Sequence, residues 1–288
     1  MSIRSRDYNF QVLKNNADRK TELDIVVPTR NRHYRFPDAI KNFSECTNKR
    51  IRVILVDSTD LIYDLSQLKE TISTLKNLNE INYYNTKLNI AEARQFGIDH
   101  ADTEFVCMTD DDEKIRKGTL DHLCSLIKKS VTIGMIAGVD TTWSRYLYSQ
   151  HKNKKGGITD AIEVKSWFDV WILRNSMFKQ GLVRYDKSFF GQEDRDLCIQ
   201  TWLAGYRVLR SLKSKYRKVY ANKEGTRRIP GGSTNYYGNT IRYKNHLTNH
   251  FLPEKYSFVK MRKNGSLVYP LKMLKTFYRT ARSEKRDI

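Results

Sequence analysis

The stretch EFVCMTDDDE at residues 104–113 decides the fold, because an apolar run ends there directly in a row of carboxylates. A short apolar run such as residues 104–109 is typical of a strand buried inside a parallel sheet. Ligands of such sheets bind beyond the carboxyl ends of the strands. We therefore expect the acidic residues 110–113 to lie at a binding edge.

Further apolar runs and helical patterns surround this strand along the chain. Other strands are predicted at residues 23–28, 51–57, 80–85 and 131–140. Helices are predicted at residues 37–46, 65–78, 90–101 and 118–129. Strands that alternate with helices of this length imply right-handed βαβ crossovers. The predicted fold class is therefore α/β, with a Rossmann-like, mostly parallel sheet flanked by helices.

The carboxylates at residues 110–113 suit a divalent cation. Carboxylates crowded this closely repel one another, and hard cations such as Mg²⁺ or Mn²⁺ prefer oxygen ligands. Side chains alternate along an extended segment, so Asp110 and Asp112 should project to the same side. A solvated acidic loop that caps the helix near Gly118 explains the same residues. Only the position at a strand end favours the cation site.

A second acidic group, GQEDRD at residues 191–196, opens a helix predicted over residues 197–204. Acidic residues at a helix start are stabilised by the helix dipole, so capping alone explains Glu193 and Asp194. A carboxylate beside a sugar hydroxyl also acts as a general base when that hydroxyl attacks an anomeric carbon. Both interpretations of this group stand on these residues alone.

Four stretches, in this order, resemble family 2 glycosyltransferases of the GT-A fold. They are IVVPTRNR at 25–32, VILVDSTD at 53–60, LNIAEARQFGIDHADTEFVCMTDDDE at 88–113 and FFGQEDRDLCIQTWLAGYRV at 189–208. Four motifs in the right order are more specific than any one alone. The resemblance implies an inverting glycosyltransferase with a nucleotide-diphosphate-sugar donor, most commonly a UDP-sugar, and with Mn²⁺ or Mg²⁺ as cofactor.

The resemblance also implies roles for individual positions. The residues implied for the nucleotide-sugar pocket are Pro28, Thr29, Arg32, Asp57, Asn89, Arg94, Asp110 and Asp111. Asp112 and Asp110 are implied as metal ligands, Asp194 as the base, and Glu193 as an acceptor contact. The family often supplies a late histidine to the metal or diphosphate, and His246 and His250 are candidates for it. Each is equally explained as a surface histidine.

The charge of the chain is unevenly distributed. The chain carries 52 Lys and Arg against 32 Asp and Glu, a formal net charge of +20. Residues 205–288 hold 21 Lys and Arg against four Asp and Glu, which points to an anionic partner. We expect a catalytic domain over residues 1–220. Residues 221–288 then form a basic region with a flexible loop and an amphipathic helix that either docks on a membrane or packs on the body of the protein.

Two enzyme hypotheses and one binding hypothesis follow. The first is a glycosyltransferase acting on a hydroxyl of an anionic or lipid-linked envelope glycan. The second is a glycosyltransferase acting on a hydroxylated base in DNA or another nucleic acid, with the basic region binding phosphates. A non-catalytic nucleic-acid or membrane-binding module leaves both acidic groups unexplained.

The sequence shows neither a bilayer-spanning apolar run nor a secretory signal, and we predict the location of the protein from this. No apolar run approaches the ~18–20 residues that span a bilayer. Residues 1–20 are polar and charged, without the apolar segment of a secretory signal. We therefore expect a cytoplasmic protein, peripheral to the inner face of the membrane where the basic helix docks there.

Overall fold

The computed structural model describes residues 8–15, 19–141, 160–164, 170–187 and 193–219. Within these ranges the strands are β1 Asn9–Lys14, β2 Leu23–Thr29, β3 Ile51–Asp57, β4 Leu78–Asn85, β5 Phe105–Thr109, β6 Glu113–Ile115, β7 Ile133–Asp140, β8 Ala161–Glu163, β9 Val170–Arg174 and β10 Arg207–Lys218. The α-helices are α1 Phe36–Glu45, α2 Lys69–Ser73, α3 Ile90–Asp99, α4 Thr119–Lys128, α5 Asn175–Lys179 and α6 Glu193–Leu203. Two 3₁₀ helices, His33–Arg35 and Leu65–Leu68, precede α1 and α2.

The described strands form one sheet in the order β1-β4-β3-β2-β5-β9-β7-β10-β6, with β8 paired to β10. The adjacent strands β4, β3, β2 and β5 run parallel. Strand β9 runs antiparallel to both β5 and β7, and β10 runs parallel to β7. Strands β7 and β10 therefore point the same way as β5. The predicted α/β class with a mostly parallel sheet is confirmed.

Strand β2 lies at the centre of the sheet, and all seven of its residues are buried. Its side chains alternate between two hydrophobic cores, with Ile25 and Val27 in one and Val26 in the other. Helices α1 and α4 contribute to the first core, and α3 and α6 contribute to the second. Burial on both faces explains why this strand is an unbroken apolar run in the sequence.

Helix α3 packs very closely on β2. A Cβ built on Gly97 would lie 2.2 Å from Cγ1 of Val26, so only glycine allows this approach. The helix begins just after β4 ends, at the carboxyl edge of the sheet. Arg94 stands one turn before Gly97, so the tight contact also fixes the position of its side chain.

The helix predicted over residues 65–78 is shorter in the structure. A 3₁₀ turn and α2 end at Ser73, and β4 already begins at Leu78. The side-chain amide of Asn15 donates to the carbonyl oxygens of Ile72 at 2.9 Å and Leu75 at 2.8 Å. A residue distant in sequence thus caps the helix end, which local pattern does not reveal.

The remaining predictions concern the C-terminal part of the chain. The described residues belong to one compact unit. The boundary expected near residue 220 stays a prediction, and His246, His250 and the basic region 221–288 lie outside the described residues. Among the described helices, none has the length and apolar character needed to cross a membrane.

Candidate active site

Three neighbouring strands end at one edge of the sheet with polar residues. Thr29 ends β2, Asp57 ends β3, and Asp110 directly follows β5. Thr29 and Asp57 are register partners, and β2 lies between β3 and β5. Pro28 is buried within β2 beside this edge. The structure therefore brings these predicted residues together where ligands of parallel sheets bind.

Asp111 points inward and holds the loop that follows β2. Its carboxylate accepts hydrogen bonds from Oγ1 of Thr29 at 2.5 Å and from Nη1 of Arg32 at 2.6 Å. Asp111 is only 5% exposed, and burial raises the pKa of its carboxyl although Arg32 and Thr29 lower it. In this structure Asp111 anchors Arg32 at the rim of the site, where the arginine side chain remains partly exposed.

Asp110, Asp112 and Glu113 bring their carboxylates together beside this anchor. One oxygen atom from each lies within 4.8 Å of the other two. Oδ1 of Asp112 is buried and has no hydrogen-bond partner among the described residues. Carboxylate oxygens at this spacing suit a hard divalent cation, which would give that buried oxygen a partner. The donor set therefore fits Mn²⁺ or Mg²⁺. Asp110 and Asp112 both belong to it, although they lie in a turn and not in the extended segment that the alternation assumed.

Glu113 is the member of this cluster that was not predicted as a ligand. It begins β6, and β10 places Lys218 opposite it, with Nζ 3.5 Å from Oε1 of Glu113. The turn between β5 and β6 interrupts the strand alternation, so Glu113 joins the cluster. In the sequence it is the last carboxylate of the row, and nothing there marks it as a ligand.

Arg94 joins the two acidic groups. Its Nη2 lies 3.3 Å from Oδ1 of Asp110, on the side of the strand ends. Its Nη1 donates to Oε1 of Glu193 at 2.8 Å and to Oδ1 of Asp194, both at the start of α6. Arg94 itself is 6% exposed. Two carboxylate groups far apart in the sequence thus meet at one buried guanidinium.

This arrangement raises the pKa values of both Arg94 and Asp194. Burial opposes the charge of Arg94, but the carboxylates of Asp194, Glu193 and Asp110 outweigh burial and raise the pKa of the guanidinium. Burial also raises the pKa of Asp194 well above its ordinary value, and Glu193 and Asp110 add to the shift against the opposing effect of Arg94. A carboxylate with a raised pKa is a better proton acceptor, as a general base requires.

Asn89 fixes the start of α3. Its Oδ1 accepts from the backbone N–H of Glu92 at 2.9 Å, and the carboxylate of Glu92 accepts from the backbone N–H of Asn89 at 3.1 Å. This reciprocal capping box satisfies two backbone donors at the helix end. Nδ2 of Asn89 also donates to the carbonyl of Lys187 at 3.0 Å. The contacts of Asn89 thus hold in place the helix that carries Arg94.

Asp57 is fully buried and sits in a network that sequence reasoning missed. Its Oδ2 accepts from the hydroxyl of Tyr83 at 2.7 Å and lies 2.5 Å from Nε2 of His33. Its Oδ1 accepts from the backbone N–H of Thr59 at 3.0 Å. His33, 21% exposed in its side chain, is the outer member of this network. The sequence offered one signal for His33, which is that it directly follows Arg32, a residue predicted for the nucleotide-sugar pocket.

The sequence model of the family described as Glycosyl transferase family 2 matches residues 24–195. The chain belongs to glycosyl transferase family 2. The matched segment covers more than half of the chain and includes the strand-end carboxylates, Arg94, Glu193 and Asp194. The resemblance drawn from the four motifs is confirmed, and the chain is a glycosyltransferase.

This family 2 glycosyltransferase is similar in fold to two solved structures. S. aureus TarS 1–349 in complex with UDP-GlcNAc has a TM-score of 0.61 at 15% identity, covering 89% of this chain and 71% of that chain. The mannosyltransferase PcManGT from Pyrobaculum calidifontis, in complex with GDP-Man and Mn²⁺, has a TM-score of 0.62 at 18% identity. This match covers 95% of the present chain and 72% of PcManGT. The shared fold is GT-A. No curated protein matches the chain significantly.

Proposed function

We propose that this glycosyltransferase moves a sugar from a nucleotide-diphosphate donor to a hydroxyl of an anionic or lipid-linked glycan, with inversion at the anomeric carbon. The contact of Arg94 with both acidic groups carries the proposal, because it brings Asp110 and Asp194 to one guanidinium. The complexes of TarS with UDP-GlcNAc and of PcManGT with GDP-Man support a nucleotide-sugar donor. A UDP-sugar is our first expectation.

The donor half of the site is the carboxyl edge of β2, β3 and β5. Arg32 and Arg94 offset part of the carboxylate charge that a diphosphate would meet there. Asp110, Asp112 and Glu113 would hold Mn²⁺ or Mg²⁺, and such a cation, when bound, stabilises the negative charge that develops on a departing diphosphate. PcManGT, with Mn²⁺ in its complex, supports this choice of metal.

The acceptor half of the site is the start of α6. As the acceptor oxygen bonds to the anomeric carbon and the bond to the diphosphate breaks, the hydroxyl proton passes to Asp194. Inversion needs one such base and no covalent nucleophile. Arg94, which also pairs with Glu193, holds the Asp194 carboxylate in place. Because burial raises the pKa of Asp194, transfer should increase as pH rises through that pKa.

The test uses the full chain with a panel of UDP- and GDP-sugars, in Mn²⁺ or in EDTA, and the variant Asp194→Asn. We expect Asp194→Asn to retain donor affinity and to lose transfer by roughly 10²–10⁴-fold, the usual contribution of a general base. Asp102→Asn is the matched control, since Asp102 is 80% exposed in its side chain and precedes β5 at the opposite edge. Equal transfer by wild type and Asp194→Asn would refute the base assignment. Absence of turnover with every donor would refute the reaction.

A further inference from the structure

A large basic cavity lies between the end of α1 and the paired strands β6 and β10. Its volume is about 1100 Å³. Five cationic residues contribute to its lining: Lys76, Lys114, Arg116, Lys117 and Arg217. Of the described residues that line it, only Glu45 carries a carboxylate. The cavity is therefore strongly positive, although it adjoins a carboxylate centre.

Four of the five cationic residues that line this cavity keep their charge unpaired within the described part of the chain. Lys114, Arg116, Lys117 and Arg217 are exposed, and none of them has a carboxylate partner among the described residues. Lys114 and Arg217 are also register partners on antiparallel strands. Like charges directly opposite each other destabilise a strand pair. An anion between these two side chains would remove that repulsion.

The polar wall of the cavity is already hydrogen-bonded within the protein. Asn42 donates to the carbonyl of Ile115 at 2.9 Å and accepts from its backbone N–H at 2.8 Å. The amide of Asn77 donates to the carbonyl oxygens of Thr47 and Lys49. These contacts fix the walls and leave the cationic side chains as the groups that face a ligand.

A second cavity of about 410 Å³ adjoins the basic cavity on the side of the carboxylates at residues 111–113. Asp111, Asp112 and Glu113 contribute to its lining. The two cavities share four lining residues, Asn42, Glu45, Lys114 and Arg217. The chain from Glu113 to Arg116 spans at most about 11 Å. A ligand of two or three linked units can therefore reach from the carboxylates at residues 111–113 to the basic cavity, whereas Asp194 lines neither cavity.

We propose that the basic cavity binds a phosphate group of the acceptor, away from the reacting hydroxyl. A chain of sugar or polyol units joined by phosphodiesters matches it, because repeated negative charges face the cations at residues 114, 116 and 117. Remote contacts of this kind supply binding energy for positioning the reacting group. That the phosphate belongs to the acceptor rests on the proposed function. Binding of an anion in the cavity does not depend on the proposed function.

The lining favours such a chain over a nucleic acid. Single-stranded nucleic acids are bound by exposed aromatic side chains on which bases stack. Among the described lining residues the aromatic side chain is that of Tyr216, which is only 4% exposed. The cavity thus offers charge for phosphates and little surface for bases.

The first test measures binding of a short fluorescent oligomer of glycerol phosphate to the full chain across a salt series. We expect Arg116→Gln/Lys117→Gln to weaken binding about tenfold or more, as the loss of two charge-assisted contacts implies. The matched control is Lys69→Gln/Lys129→Gln, which removes the same charge from exposed lysines that line neither cavity. Equal losses in both double variants would show general charge attraction and overturn the proposal.

The second test locates the oligomer by lysine acetylation and mass spectrometry, without a donor present. Saturating oligomer should protect Lys114 and Lys117 and leave Lys69 and Lys129 reactive. Three results would overturn the proposal: no protection, protection by a nucleotide-sugar alone, or stronger protection by an oligothymidylate of equal charge. Failure of the proposed function is a separate result, because it is seen as absence of sugar transfer while protection is unchanged.

Discussion

Replacing Arg94 by methionine removes the guanidinium that Asp110, Glu193 and Asp194 share. The side chains of Arg94 and Glu193 are each 7% exposed, and breaking such a buried pair costs about 3–5 kcal/mol because a charge is left uncompensated. The side chains of Asp110 and Asp194 are 25% and 22% exposed, more than that of Glu193, so we assign each of these two pairs about 1 kcal/mol or less. We expect Arg94→Met to lower the free energy of unfolding by about 3–7 kcal/mol at neutral pH.

The destabilisation should decrease in acid. Burial already raises the pKa of Asp194 in the wild type, and Arg94 lowers it. Removing Arg94 therefore places the folded-state pKa still further above that of the unfolded chain. Between these two pKa values the native state holds the extra proton, so stability is lost as pH rises through this window and regained as pH falls. Each such proton changes the free energy of unfolding by about 1.4 kcal/mol per pH unit.

Urea unfolding of the full chain at several pH values, together with transfer rates, measures both effects. Arg52→Met is the control, because Arg52 pairs through Nε and Nη2 with the fully buried Asp24 at 2.7 and 3.0 Å. Asp24 lies near the start of β2, away from the carboxyl edge. Arg52→Met should lose stability and keep transfer, whereas Arg94→Met should lose both. A loss below about 1 kcal/mol, typical of exposed pairs, would refute the reasoning. A loss independent of pH would also refute it.

Two further substitutions test other parts of the structure. Asp112→Ala should weaken Mn²⁺ binding, as measured by titration calorimetry, and should make donor affinity insensitive to EDTA. If EDTA does not change the donor affinity of the wild type either, the cation assignment is wrong. Gly97→Ala should destabilise by about 1–3 kcal/mol in urea unfolding, since its Cβ would lie 2.2 Å from Cγ1 of Val26. An unchanged urea midpoint would mean that α3 does not approach β2 as described.

The central strands were predictable because burial on both faces leaves a local signature. Strands β2, β3 and β5 are unbroken apolar runs, and all three were predicted to within a residue at each end. Strand β9 was missed, because its identity depends on pairing between β5 and β7, which lie far from it in sequence. Strand β10 mixes basic and apolar residues, so its twelve residues show little apolar clustering.

The same limit explains the site residues. The acidic groups were visible from their positions after a strand and before a helix, and the motif order supplied Arg94. The contact of Arg94 with both Asp110 and Asp194 depends on the packing of α3 and α6, which a local sequence pattern does not reveal. The pairing of His33 with Asp57 depends similarly on the loop after β2.

Charge balance ties the two halves of the site together. In the described part of the centre six carboxylates share three cationic side chains, namely Arg32, Arg94 and Lys218. A diphosphate brings further negative charge to this place, so a donor alone would be repelled. A divalent cation removes the excess for carboxylates and diphosphate alike, so donor and cation should each raise the affinity for the other by the same factor. This coupling is why Asp112→Ala is expected to cost donor affinity without any contact between Asp112 and the sugar.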